Sequence, residues 1–196
     1  MIFAPAIMFR RFLASTRAVA AIEFAMILPV LLLLFLGSFD AANGIAVYMK
    51  VRSATFALAA ITNQYGTGNG AITPTDMTAI TAATTAVLAP YSSAPTVVVI
   101  SQIKATSATQ AVVSWSYSPT GTALTQGSTY SSLPTNFASN SCGGTYPCYV
   151  IMASVSYTYT PLFGAFLTGP ITLSDGLYTT PRISTCVQYN SIPASC

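Results

Sequence analysis

The sequence predicts an α+β fold: one long N-terminal helix that crosses a membrane and continues into an exported domain holding a second helix and roughly four antiparallel strands. Three observations predict it. An apolar run begins near residue 18, an apolar stripe at helical spacing follows, and beyond residue 95 the apolar positions adopt the two-residue period of strands. The 196 residues are 6% charged and 53% hydrophobic, well short of the quarter or so of charged residues usual in soluble domains. The length suits one span and one domain of roughly 150 residues, which is large enough to bury its own core. The expected division is a basic cytoplasmic leader over 1–17, a transmembrane helix over 18–39, and the exported domain over 40–196.

From Ala18 to Phe39 the chain reads AVAAIEFAMILPVLLLLFLGSF, which as a helix extends roughly 33 Å against a hydrocarbon core of about 30 Å. Arg10, Arg11 and Arg17 precede this run and no basic cluster directly follows it, so the positive-inside rule leaves the N-terminus in the cytoplasm. The run exceeds the apolar core of a cleaved signal peptide and passes into a second helical stretch without a small-x-small site, which favours an anchor over simple secretion. Glu23 is the anomaly of the span. An ionised carboxylate in lipid costs several kcal/mol and asks for a cation; the alternative seats Glu23 near the cytoplasmic interface, snorkelling into headgroups. Pro29 deletes a backbone hydrogen bond in mid-span and predicts a helix bend there.

Val47, Val51, Ala54, Leu58, Ile61 and Tyr65 recur at spacings of four and three, the apolar stripe of a helix that outlasts the span. As one rod, residues 18–62 reach roughly 65 Å, with Gly37 and Gly44 as points of flexure. The run NQYGTGNG over 63–70 is a loop by composition. Thr73, Pro74 and Asp76 then supply a cap, a proline at the first helical position and an acid in the first turn, starting a second helix that ends near Leu88, before Ala89-Pro90. Rich in threonine and alanine, that helix must be held by packing. Strand signals follow at Thr96–Ile103, around Val113, Trp115 and Tyr117 with serines between them, and at Ile171–Thr180. Tyr149, Ile151, Ala153, Val155, Tyr157 and Tyr159 form the apolar face of a further strand. Helices first and strands afterwards argue for a sheet packed on the long helix. Ser118–Pro147 is Gly-, Ser-, Thr- and Pro-rich and is expected to be a solvated loop stapled by a disulfide, with a variable interacting surface as the alternative. Trp115 and the tyrosines of 149–159 are expected in packing more than as a ligand platform, and a sugar-stacking role stays open.

Cys142, Cys148, Cys186 and Cys196 all fall in the exported part, where thiols are normally oxidised. Of the three possible pairings, Cys142 with Cys148 and Cys186 with Cys196 are expected, because each closes a local loop. Without histidine or a C-x-x-C pair, a zinc site is disfavoured. Glu23, Asp40, Asp76 and Asp175 are the whole carboxylate supply, and a catalytic serine would have to rely on Lys50 or Lys104. No catalytic, cofactor or metal site is therefore expected. Nucleic-acid binding is disfavoured too, since three of the seven basic residues lie ahead of the span and form no basic face on the domain.

The stretch Ala18-Val19-Ala20-Ala21-Ile22-Glu23-Phe24, followed by Ala25-Met26-Ile27-Leu28-Pro29-Val30-Leu31, resembles the TadE/TadG-like family, minor pseudopilin-type proteins of tight-adherence (Flp) pilus systems. Its members carry a basic leader, a small residue, an A-A-V-E-F-like segment and an apolar, L-P-rich span. The resemblance is specific over about 35 residues; Tyr157–Phe163 and the closing Pro181-Arg182 also look like family features. It implies a pilin-like exported domain and a non-enzymatic minor pseudopilin or pilus-assembly component. The implied location is the bacterial inner membrane, with the domain periplasmic or extracellular. The implied partners are pilus or pseudopilin subunits and the inner-membrane assembly platform, with no cofactor. Some members are cut by a prepilin peptidase after the small residue, usually glycine. The corresponding junction here is Ala18/Val19, which places Glu23 fifth in the mature chain, able to pair with the new amine of a neighbouring subunit as an intramembrane assembly contact. The competing reading is a signal-anchored surface adhesin or lectin-like module presenting its Tyr/Ser/Thr-rich sheet and long loop. Autonomous glycan binding by a soluble fragment starting near Asn43 separates the two.

Overall fold

The structure, a computed structural model, describes residues 16–66, 70–92, 96–134, 137, 142–189 and 196, the side chains of 16–18, 166 and 167 excepted. Helix α1 runs unbroken from Thr16 to Thr62, through Pro29, Gly37 and Gly44, a length of about 70 Å. Helix α2 (Pro74–Leu88), strands β1 (Thr96–Ala105), β2 (Ala111–Tyr117) and β3 (Cys148–Tyr159), the single turn α3 (Ala165–Thr168) and strand β4 (Ile171–Thr179) follow. The strands form one antiparallel sheet in the order β2-β1-β3-β4, which is the α+β architecture expected. The chain divides into two compact units. One holds residues up to Asn43 with Pro161–Gly169, and the other holds Gly44–Thr160 with Pro170–Cys196.

The core of the larger unit forms where two periodicities meet. Val47, Val51, Ala54 and Leu58 of α1 are buried, with Ile61 packed beside them, so the stripe from Val47 to Ile61 is the core face of the helix; Tyr65, expected on the same helix, lies beyond its end at Thr62 and still packs on this core. Against it stand Met77, Ile80 and Leu88 of α2 and the apolar faces of β1 and β3, including Ile100, Ile151 and Val155. Helix α2 begins with a capping box: Thr73 Oγ1 accepts from the Asp76 N–H at 3.2 Å, and Asp76 Oδ2 accepts from the Thr73 N–H at 2.9 Å. These Thr73 contacts hold the Asp76 carboxyl below its ordinary pKa. Thr81 and Thr84 are buried without stranding their hydroxyls, which donate to the carbonyls of Met77 and Ile80 one turn back.

Two features depart from the sequence reading. In β2, Gln102 pairs with Trp115 and Ile103 with Val113, so Ser114 is an inserted residue, a β-bulge. Val113 and Trp115, two positions apart, would share a face in a regular strand; the bulge separates them. Trp115 enters the helix-side core, whereas Val113 joins Ile103, Ala111 and Met152 on the opposite face. The second departure is the excursion over 118–147, which in its described part is more than a solvated loop. Leu124, Tyr130 and Leu133 pack on that opposite face, the Tyr130 and Tyr178 hydroxyls lie 2.7 Å apart, and residues 127–130 exchange backbone hydrogen bonds with Ala111 and Val113. The expected short-range disulfides, Cys142–Cys148 and Cys186–Cys196, are both present.

The chain after β4 completes the core in a way no local pattern announces. The buried Gln102 side chain accepts from the Val187 N–H at 2.7 Å, the Trp115 indole donates to the Val187 carbonyl at 2.8 Å, and the Ile72 N–H donates to the Gln188 carbonyl. Val187 and Tyr189 are buried as a result. Trp115→Phe leaves that buried carbonyl without its indole donor and thins the packing. It is expected to lower the unfolding free energy by about 1–3 kcal/mol, read from denaturant unfolding of the detergent-solubilised protein; an unchanged midpoint refutes the assignment.

Candidate functional site: the exposed helix and its exit

Within the smaller unit, α1 presents large apolar side chains on every side: Phe24, Met26, Val30, Leu33, Leu34 and Phe35 are each more than half exposed. Its most apolar 18-residue stretch has nothing buried inside the protein, and the helix is long and apolar enough to cross a membrane. A helix apolar all round is stable where lipid or other helices surround it. Val19 and Glu23, four residues apart and so on one face, are both exposed, as is Pro29 within the continuous helix. Ala18 and Arg17 are placed by their backbone alone, and Arg10 and Arg11 lie outside the described residues.

At the end of the apolar run, Asp40 makes a contact that sequence reading missed. Its carboxylate accepts three backbone N–H groups from the β3–β4 connection: Leu162 to Oδ1 at 3.0 Å, and Phe163 and Gly164 to Oδ2 at 2.9 and 2.6 Å. The residue is only 7% exposed. Burial acts to raise the carboxyl pKa, but the three donors together outweigh it, and the group is held below the ordinary carboxylate value. Beside it the rings of Phe39 and Phe163 meet edge to face, with centroids 6.0 Å apart. A Cβ added at Gly164 would stand 3.4 Å from Asp40 Oδ2, so a glycine there gives the carboxylate room to approach. The only local signal was an acid closing an apolar run; its partners lie more than 120 positions away.

One serine and lysine pair, Ser101 and Lys104, has the S-x-x-K spacing of certain serine hydrolases. It lies on β1, where residues three apart point to opposite faces. Ser101 Oγ donates to Ser116 Oγ at 2.7 Å, and Lys104 Nζ sits 5.9 Å from the centre of the Tyr149 ring, so the two side chains do not meet. Among the described residues, no group of three or more His, Cys, Asp or Glu side chains gathers as metal ligands.

Residues 18–60 match the family described as TadE-like protein. The matched stretch lies within α1 and contains Glu23, Pro29 and Asp40, which bears out the resemblance seen at 18–31. No curated protein and no solved structure matches the chain.

The Asp40 contact has a defined pH dependence. A carboxyl whose folded pKa is depressed contributes fully above its unfolded value near 3.8 and loses that contribution as pH falls through the folded value. The amide proton shifts of Leu162, Phe163 and Gly164 are therefore expected to move together in an acid titration, with a midpoint below 3.8. In Asp40→Asn that transition disappears and the three amides exchange faster with solvent. Amides insensitive to the substitution would remove the contact from solution.

Proposed function

We propose that this chain, whose residues 18–60 carry the TadE-like signature, is a membrane-anchored, non-enzymatic component of a tight-adherence pilus or related secretion apparatus, of the minor pseudopilin type. In this reading α1 spans the bacterial inner membrane with the leader in the cytoplasm, and the larger unit works on the periplasmic or extracellular side. The observation that supports it most is the helix itself: family signature and exposed apolar surface lie on one stretch, and within its apolar run over 18–39 Glu23 is the single acidic residue. Such a surface is suited to lipid and to packing against other apolar helices, so the protein's work is done through helix and domain contacts with pilus subunits and the membrane assembly platform.

Glu23 gives the proposal its chemistry. A carboxylate within the membrane requires a cation, and the described helix places none of its own lysines or arginines within one turn beyond it. Cleavage between Ala18 and Val19 by a prepilin peptidase creates a free amine four residues before Glu23, and the amine of a neighbouring subunit then meets the Glu23 carboxylate. Pairing between copies or between related subunits sets their axial register.

The test is the N-terminal sequence of the membrane-associated protein from cells with and without the peptidase. The expected result is a chain beginning at Val19 only when the peptidase is present. With processing established, Glu23→Leu is expected to abolish co-purification with pilus subunits and Glu23→Asp to retain part of it. A leader kept in both strains, or full association of Glu23→Leu, overturns the pairing role.

A further inference from the structure

We infer that the loop joining β3 to β4 is a second membrane contact, in which Leu162 and Phe163 enter the interfacial layer of the leaflet through which α1 emerges. This rests on the reading that α1 spans the bilayer. Asp40 is the first charged residue after Glu23, directly beyond the run LLLLFLGSF, and so marks the outer end of the span. Its three hydrogen bonds hold Leu162, Phe163 and Gly164 at that level, within the same compact unit as the span.

The composition and exposure of the loop suit lipid. No charged residue occurs between Pro161 and Gly169. Leu162 is 72% exposed and Phe163 49% exposed, although both are large and apolar. The Phe39 and Phe163 rings meet edge to face at the end of the apolar run, adding apolar surface at the level where membrane proteins carry their interfacial Trp and Tyr. Irregular backbone normally resists entry into an apolar layer because its N–H groups go unsatisfied. Here the N–H groups of residues 162, 163 and 164 are already bound to the Asp40 carboxylate, which also meets the charge's own need for donors. A lipid interface therefore fits the loop, and a second copy of the chain is the competing occupant.

The test uses the full chain reconstituted into phosphatidylcholine vesicles whose acyl chains carry bromine, a fluorescence quencher, either near the headgroup or near the chain end. Phe163→Trp reports on the loop and Leu31→Trp on the middle of α1; the signal of the native, fully buried Trp115 is subtracted using the wild-type chain. The expected result is loss of the added Phe163→Trp emission with shallow bromine, and of the Leu31→Trp emission with deep bromine. If Leu31→Trp is quenched and Phe163→Trp is quenched by neither lipid, the loop proposal fails while the anchor stands. A blue-shifted but unquenched Phe163→Trp reports a protein surface over the loop and equally overturns the lipid reading. If neither position is quenched, the anchor reading fails and takes the loop proposal with it.

Discussion

One continuous helix has to satisfy two different surroundings, and the rest of the molecule follows from that constraint. Over its first half α1 is apolar around its whole circumference and buries none of it within the protein. Over its second half one apolar stripe, Val47, Val51, Ala54 and Leu58, is closed over by α2 and the sheet, while Ile45, Met49 and Phe56 stay exposed. The surroundings of the side chains change, from an all-round exposed apolar surface suited to lipid to a helix with one apolar face closed into a folded core.

Asp40 stands where the first pattern ends, and the structure treats its charge as a desolvated one. A buried carboxylate is costly unless hydrogen-bond donors replace its water. Three backbone amides do so, and because they come from consecutive residues the same contact closes a turn that would otherwise leave those amides exposed. Each side meets the other's polar requirement. Gln102 follows the same logic in the larger unit, where one buried amide side chain contacts both Cys186 and Val187 and fixes the chain that follows β4.

The outer face of the sheet shows how a composition can mislead. Ser118–Pro147 has the look of a solvated excursion, yet it contributes Leu124, Tyr130 and Leu133 to a second apolar cluster and runs beside the edge of β2. Three apolar side chains spread over ten residues give no period to detect. Their effect depends on there being an apolar patch for them to cover, built on Ile103 and Met152 and enlarged where the bulge at Ser114 puts Val113 on the same face.

What the sequence by itself determined are the features carried by neighbours along the chain. These are the apolar run of α1, the core stripe from Val47 to Ile61, the Thr73–Asp76 cap, the Tyr149–Tyr159 strand face, the two short-range disulfides and the signature around Glu23. Each rests on spacing within a few residues, where helix and strand geometry dictate which side chains share a face. Tertiary structure alone decided the partners of Asp40, the opposite facing of Val113 and Trp115, the covering of the outer face, and the seating of Val187 between Gln102 and Trp115. Those contacts join groups up to 124 positions apart or hinge on a single inserted residue. The energy that selects them, desolvation of a charge or burial of an apolar patch, exists only once the fold has brought both sides together.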